Sequence, residues 1–352
     1  MMLAKSGPTD ADDATVLRID RENERRKHKF YLVPFDEIQL GTEPQYLVKG
    51  LIPRVGLTVI WGPPKSGKSF WIFDVAMHVA LGREYRGRRI QQGAVVYCAF
   101  EGQSGISARV EAFRQSFPIP AGEPVPFFLQ PITLDLIADY AELITTIKRH
   151  LDTTRPARVV LDTLNRSLRG NENDSKDMSA YVRAADLIRS TFNCAVAVVH
   201  HCGVDGDRPR GHTSLTGAVE AQLSVKRGGG DTFHVEVECA KDGPQGDVVS
   251  SRLESVEVGK DVDGETITSC VVVPVQDAAP QESGPRLTKN QQTMYAILRD
   301  AGQGGLTAEQ WNEKLREVGI GTKRKADIYD NRAALSNKNL IREFNGRWTA
   351  QL

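Results

Sequence analysis

The stretch Gly62-Pro63-Pro64-Lys65-Ser66-Gly67-Lys68-Ser69-Phe70 follows directly on the apolar run Leu57-Thr58-Val59-Ile60-Trp61. Two glycines with four residues between them, then lysine and serine, form the pattern of a loop that binds nucleotide phosphates. Glycine lets successive backbone N–H groups face a phosphate, lysine adds a charge, and serine offers a hydroxyl to Mg²⁺. A chance turn is the alternative. The apolar strand before the motif and the helix predicted at 70–81 favour an ATP site with Mg²⁺.

Composition limits the partners that this chain can have. Its 352 residues carry 45 lysines and arginines against 45 aspartates and glutamates, so the formal net charge is zero. Any nucleic-acid contact must therefore come from local basic patches. No apolar segment is typical of a signal peptide or a membrane span, so no membrane contact is expected. A cytoplasmic location is predicted because no C-x-x-C pair occurs among the five cysteines, Cys98, Cys194, Cys202, Cys239 and Cys270.

The sequence predicts four parts. Residues 1–30 are polar and charged and are predicted to form a flexible arm, with nucleic-acid or partner contact as the alternative for its basic cluster. Residues 31–275 are predicted to form the nucleotide-binding domain. Residues 276–286 lack large apolar side chains and are predicted to be a linker. Residues 287–352 have an apolar set of their own and are predicted to form a small domain.

Apolar strands alternate with helical stretches in the nucleotide-binding domain. The predicted strands are 57–61, 94–100, 125–130, 158–161 and 195–199, with helices at 106–117, 140–151 and 175–192 between them. This pattern predicts an α/β fold whose mainly parallel sheet is covered on both faces. Residues 232–240 alternate strictly between apolar and polar, and 248–258 and 266–275 continue in that style, which predicts an antiparallel edge.

Two carboxylates follow predicted strands. Asp162 comes directly after 158–161, where it would hold Mg²⁺ through the water shell of the ion, and a capping or turn aspartate is the alternative. Glu101 comes directly after 94–100, where it would act as the general base for water. An ordinary glutamate at the end of a strand is the alternative.

His200 and His201 directly follow the predicted strand 195–199 and are predicted to sense the γ-phosphate. A buried structural pair is one alternative. A zinc site with Cys202 is another, although no second pair of ligands stands at a suitable spacing. The polar loop 208–214, which contains Arg210, would face a central channel or the next subunit in an oligomer, or would be a solvated loop.

The last 66 residues predict three helices and a terminal hairpin, the order of a winged helix-turn-helix module. Thr307 is a predicted N-cap with Gln310 three residues on, and Asn345-Gly346 is a hairpin signal. The segment 287–352 carries 11 basic and 7 acidic residues, a net charge of +4. Subunit contact is the alternative to DNA binding. The predicted DNA-binding residues are Lys323, Arg324, Lys325, Arg332, Lys338 and Arg347.

These motifs together resemble the RecA-like P-loop NTPases, most closely the plasmid RepA-type hexameric replicative helicases and related phage or prophage AAA-family ATPases. The resemblance spans roughly 46–246 and rests on Gly62 to Ser69, Tyr97-Cys98-Ala99-Phe100-Glu101, Val160-Leu161-Asp162-Thr163-Leu164, Val198-Val199-His200-His201 and Arg210-Gly211. It implies a ring with ATP between subunits and a basic residue supplied by the neighbour. This chain has Glu220 where the plasmid helicases have that arginine. Ala240-Lys241-Asp242-Gly243-Pro244 resembles the corresponding segment of other replicative helicases, so Lys241 is the first candidate and Arg210 the second.

The leading hypothesis is a Mg-ATP-dependent motor, a homo-oligomeric ring such as a hexamer, that acts as a helicase or translocase on single-stranded or forked DNA. Replication of a phage or plasmid-like element is the setting that the resemblance implies. A regulatory or recombination-type ATPase that assembles on DNA or partners without unwinding is the alternative. A DNA-binding regulator with a vestigial nucleotide site is a third hypothesis, and the intact loop, Glu101 and Asp162 speak against it.

Overall fold

A computed structural model describes residues 32–38, 40–120, 122–203, 206, 208–241, 243–275, 287–322, 324, 326–338, 340–344 and 346–350. The chain divides into two compact units, Met1–Gln45 and Tyr46–Leu352. The described part of the first unit holds a 3₁₀ turn at Phe35–Glu37. The predicted arm 1–30 and the predicted linker 276–286 lie outside the described residues.

A nine-stranded sheet forms the centre of the second unit. A short hairpin of β1 (Tyr46–Val48) and β2 (Ile52–Pro53) precedes it. The nine strands are β3 (Gly56–Gly62), β4 (Ala94–Ala99), β5 (Phe127–Gln130), β6 (Pro156–Asp162), β7 (Ala195–His201), β8 (Ala221–Arg227), β9 (Thr232–Ala240), β10 (Val248–Lys260) and β11 (Thr266–Pro274). Their order in the sheet is β11-β10-β9-β8-β3-β7-β6-β4-β5.

The six strands from β8 to β5 pair in parallel, whereas β9, β10 and β11 add to β8 as an antiparallel meander. The predicted α/β fold with a mainly parallel sheet and an antiparallel edge is thereby confirmed. Because the strands are parallel, the carboxyl ends of β3, β4, β6, β7 and β8 meet at one edge of the sheet. The phosphate loop and both predicted carboxylates lie at these ends.

Helices cover both faces of the sheet, as its almost wholly buried parallel strands require. Of the six helices, the first two in chain order pack in one apolar cluster on one face of the sheet. The other four pack in a second apolar cluster on the opposite face. The six helices are α1 (Lys68–Leu81), α2 (Gln103–Ser116), α3 (Leu136–Leu151), α4 (Leu164–Ser167), α5 (Ser175–Phe192) and α6 (Ser214–Ala218).

Several boundaries differ from the sequence predictions. Helix α2 begins at Gln103 rather than 106, after Gly102 turns the chain with a φ of 69°. Helix α3 begins at Leu136 rather than 140, because the Asp135 carboxylate accepts a hydrogen bond from the Ile137 N–H at 3.2 Å and caps it. Strand β8 was not predicted. Only three apolar residues alternate with polar ones in it, and a glycine run follows, so the sequence signal is short.

Residues 287–350 form three helices and a three-stranded sheet around a separate apolar cluster. Thr307 caps the second helix with Gln310 in a capping box, as predicted, and Thr288 and Gln291 form another that was not predicted. The elements are α7 (Lys289–Asp300), β12 (Leu306–Thr307), α8 (Ala308–Glu317), α9 (Ala326–Asn337), β13 (Ile341–Phe344) and β14 (Arg347–Ala350). The sheet has the order β12-β14-β13.

Candidate active site

The phosphate loop joins the carboxyl end of β3 to the amino end of α1. Gly67 precedes the helix with a φ of 95°, in the left-handed region that favours glycine, and a Cβ there would lie 3.3 Å from the Phe233 ring. The first turn of α1 leaves backbone N–H groups without helical partners at the loop. Together with the helix dipole, these groups form a site suited to phosphate.

The Lys68 side chain is buried within this loop. Its Nζ donates to the carbonyl oxygens of Gly62 at 3.0 Å and Pro63 at 2.6 Å. Burial lowers the pKa of Lys68, and the nearby Asp162 carboxylate acts in the opposite direction. The ammonium is therefore held by backbone carbonyls beside the place where the phosphates would bind.

Ser69 and Asp162 meet beside the loop. The Ser69 hydroxyl donates to Asp162 Oδ1 at 3.1 Å, and the Tyr97 hydroxyl donates to Oδ2 at 2.6 Å. Burial raises the pKa of Asp162, while these two hydrogen bonds lower it. A serine hydroxyl next to a carboxylate is an oxygen donor set suited to Mg²⁺. Bound there, Mg²⁺ would neutralise charge on the β- and γ-phosphates.

Glu101 lies two residues beyond β4 and is exposed. Its carboxylate accepts a hydrogen bond from the Thr163 hydroxyl at 3.2 Å, and Thr163 is the residue directly after Asp162. Strands β4 and β6 are neighbours, and Ala99 pairs with Asp162. The pairing of these strands thus brings both predicted carboxylates to one site.

The two histidines at the end of β7 lie on opposite faces of the sheet, because side chains alternate along a strand. His201 is on the face of the sheet that α1 covers. Burial lowers the pKa of His201, the Lys68 ammonium lowers it further, and the Glu101 carboxylate acts in the opposite direction. His200 is fully buried on the other face, and its Nε2 lies 2.7 Å from the Arg210 carbonyl oxygen. Burial lowers the pKa of His200 to about 4, so the neutral ring donates from Nε2. His200 therefore has a structural environment on the face away from the phosphate loop, and the prediction of a γ-phosphate sensor is kept for His201 alone.

Arg210 forms an ion pair with Glu172. The His212 N–H also donates to the Glu172 carbonyl oxygen, at 2.8 Å. These contacts join the loop after β7 to the segment before α5, so Arg210 and His212 are held by their own subunit. That the loop faces a channel or the next subunit stays a prediction, as does its alternative, a solvated loop.

Lys241 follows β9 at the amino edge of the parallel strands, opposite the phosphate loop. Its N–H donates to the Glu220 carbonyl oxygen at 2.9 Å, and its Nζ lies 3.7 Å from Glu220 Oε1. Glu220 precedes β8, and its carboxylate accepts from the Leu57 N–H at 2.5 Å. Glu220 thus supports the start of β3, which explains an acidic residue at that position.

Two residues near the loop were not predicted from the sequence. Tyr97 contacts Asp162, and Arg227 at the end of β8 donates through Nε to the Lys65 carbonyl oxygen at 2.9 Å. Tyr97 could have been found from the sequence, because it stands in a predicted strand four residues before Glu101. The contact of Arg227 could not, because it depends on strand β8, which the sequence did not predict.

The C-terminal residues predicted to bind DNA have different environments. Arg332 is 8% exposed, donates to Asn312 Oδ1 at 2.5 Å and lies 4.8 Å from the Trp311 ring centre. Since its guanidinium is used within the core, the prediction of a DNA contact is wrong for Arg332. Arg347 donates to the Gly304 and Gly305 carbonyl oxygens, and Lys338 donates to Gln291 Oε1 at 3.1 Å.

Arg324 is exposed and lies 3.9 Å from Asp327 and 3.8 Å from Asp330. Lys323 and Lys325 lie outside the described residues. Within the described part of the chain, no three histidine, cysteine, aspartate or glutamate side chains are grouped to hold a metal ion. No helix in that part has the length and apolar character needed to cross a bilayer.

The fold and the site define a RecA-like P-loop ATPase, with a phosphate loop after β3, Asp162 as the last residue of β6 and a parallel sheet order of β8-β3-β7-β6-β4. The chain belongs to the family described as "AAA domain", whose model matches residues 22–207. A crystal structure of the RadB recombinase is similar at 19% identity and a TM-score of 0.43, covering 58% of this chain and 90% of that chain. Among the curated proteins, no match was found.

Proposed function

We propose that this chain hydrolyses Mg-ATP with Glu101 as the general base. The observation that carries the proposal is that Lys68, Asp162 and Glu101 meet at the carboxyl ends of the parallel strands. There the hydroxyl of Thr163, the residue after Asp162, donates to the Glu101 carboxylate at 3.2 Å. An exposed carboxylate at this edge can accept a proton from an attacking water. Lys68 and the loop N–H groups would stabilise charge on the phosphates, and His201 would contact the γ-phosphate.

We also propose that the ATP site is completed by a second subunit. Lys241 is the proposed basic residue in trans. Strand β3 spans seven residues, or about 20 Å, between the edge that carries Lys241 and the edge that carries the phosphate loop. A lysine side chain does not reach across that distance within one subunit. Contact with the loop of a neighbour repeats head to tail, and the proposed assembly is the ring that forms when the rotation between neighbours closes.

The proposed use of this hydrolysis is movement on single-stranded or forked DNA, as a hexameric helicase or translocase in the replication of a phage or plasmid-like element. The C-terminal module is proposed to be a winged helix. Its local charge of +4 and the exposed Arg324 support contact with a nucleic-acid backbone.

A second candidate is an assembly ATPase of regulatory or recombination type that does not unwind DNA. One observation favours it. The exposed residues of α9, the helix that would enter the major groove, include no described lysine or arginine. They are Tyr329, Asp330, Ala333, Ser336 and Asn337.

The deciding experiment measures ATP hydrolysis with and without single-stranded DNA, followed by strand displacement from a forked duplex. We expect hydrolysis that DNA stimulates and that Lys68→Ala abolishes. Absence of hydrolysis under both conditions would contradict the ATPase proposal. Hydrolysis without displaced strand would favour the second candidate, and native mass measurement with an ATP analogue would give the number of subunits.

A further inference from the structure

Tyr97 stands in the middle of β4 with its ring buried beneath α1. The ring centre lies 6.1 Å from that of Phe73 and 6.0 Å from that of Phe127, and the residue is wholly shielded from solvent. Aromatic neighbours on two sides fix the direction of the ring. Its hydroxyl is therefore held at one place in the core.

That place is beside the predicted metal-binding carboxylate. The Tyr97 hydroxyl donates to Asp162 Oδ2 at 2.6 Å, and it lies 3.5 Å from the Ser69 carbonyl oxygen. The other carboxylate oxygen, Oδ1, receives the Ser69 hydroxyl at 3.1 Å. The two oxygens of Asp162 thus have different partners.

A short hydrogen bond from a hydroxyl to a carboxylate is a strong one in a buried setting. A carboxylate oxygen accepts hydrogen bonds, so the Tyr97 hydroxyl is the donor in this pair. Without a partner on Oδ2, the Asp162 carboxylate could turn about its Cβ–Cγ bond. The bond from Tyr97 fixes the orientation of the carboxylate plane.

We propose that Tyr97 is a positioning residue for the Mg²⁺ of the ATP site, binding Asp162 Oδ2 so that Oδ1 and the Ser69 hydroxyl face the metal. The proposal rests on the proposed function, because it assumes that Mg-ATP binds at this loop. Partners that orient a metal-binding carboxylate usually matter for metal affinity even though they do not touch the ion.

Tyr97→Phe removes the hydroxyl and keeps the ring, and Tyr181→Phe is the matched control. Tyr181 is also wholly buried, and its hydroxyl forms one hydrogen bond, to Ser167 Oγ at 3.0 Å, away from the loop. Both changes remove one buried tyrosine hydroxyl with one close side-chain partner. They differ in whether that partner is Asp162.

The experiment is a fluorescence titration of the full chain with a mant-labelled, non-hydrolysable ATP analogue, first in EDTA and then at increasing Mg²⁺. We expect Tyr97→Phe to raise the Mg²⁺ concentration at the midpoint by about 10- to 100-fold and to leave the affinity in EDTA unchanged. Tyr181→Phe should change neither quantity. In an Asp162→Asn background, Tyr97→Phe should have no further effect on the midpoint.

Three outcomes would overturn the proposal: an equal Mg²⁺ midpoint in wild type and Tyr97→Phe, an equal shift in both tyrosine variants, or loss of affinity in EDTA for Tyr97→Phe. The last would mean that the hydroxyl supports the loop as a whole. Failure of the proposed function looks different, because wild type itself would then show no nucleotide binding that depends on Mg²⁺.

Discussion

The Thr163 hydroxyl donates to the Glu101 carboxylate across 3.2 Å, although the two residues are 62 positions apart in sequence. This bond joins the end of β4 to the residue after Asp162. It holds Glu101 at the edge of the sheet where the phosphate loop lies. Glu101 is therefore placed where a general base would act, and a substitution that changes only its carboxylate tests that role.

Glu101→Gln should lower ATP hydrolysis by at least about 100-fold, because an amide cannot accept the proton of the attacking water. Nucleotide affinity should stay within about twofold of wild type, since Lys68 and the loop are intact. Glu142→Gln, at an exposed position on α3, is the matched control and should hydrolyse ATP normally. A Glu101→Gln protein with wild-type turnover would rule out the general-base assignment.

Mixing two inactive variants tests the shared site. Lys241→Ala and Glu101→Gln should each be inactive alone. In an equal mixture, about a quarter of the interfaces would combine an intact Glu101 with an intact Lys241 from the neighbour, so about a quarter of the wild-type rate should return. No recovery after subunit exchange, verified by native mass measurement, would contradict action of Lys241 in trans.

The different environments of the two histidines predict different defects. His201→Ala should reduce turnover by about tenfold or more with little loss of stability, because its ring lies on the side of Lys68 and Glu101. His200→Ala should reduce the free energy of unfolding, because a fully buried ring and its bond to the Arg210 carbonyl are lost. Turnover and urea unfolding of both variants provide the check, and a stability loss confined to His201→Ala would reverse the assignment.

Stability should fall on acidification through His200. The folded-state pKa of about 4 is below the unfolded value of 6.5, so only the unfolded chain binds this proton between these pH values. At pH 5 this binding favours unfolding by about 2 kcal/mol compared with pH 7.5. His200→Gln should therefore lose less stability than wild type over that interval in urea titrations. His150→Gln, at an exposed histidine, should behave as wild type.

Substitutions at Arg332 and Arg324 test two different roles of arginine in the C-terminal module, stability and DNA binding. Arg332→Ala should lower the free energy of unfolding of this module by about 2–3 kcal/mol, because it removes a hydrogen bond and the contacts with Trp311 and Trp348. Tryptophan fluorescence during urea unfolding would measure the change. Arg324→Ala should leave stability unchanged and weaken DNA binding, and unchanged DNA affinity at low salt would favour a protein partner.

Much of the ATP site could be predicted because its parts are local in sequence. The loop from Gly62 to Ser69, Asp162 after an apolar strand and Glu101 after another are short patterns whose chemistry follows from residue type. Parallel strands bring their carboxyl ends together, so the meeting of these residues followed from the predicted fold. The capping box of Thr307 and Gln310 was predictable for the same reason.

Other features were decided only by tertiary structure, because they depend on which face or edge of the sheet a residue occupies. The sequence does not reveal which of His200 and His201 is buried in the core and which lies on the side of Lys68, or that Arg332 lies between two tryptophans. It does not reveal that Lys241 and Glu220 share the edge opposite the loop. By itself, the sequence determined the phosphate loop after the first core strand and predicted that a nucleotide binds there. Long-range packing decided the rest, since the contact of Tyr97 with Asp162 spans 65 residues and forms only when β4 and β6 pair.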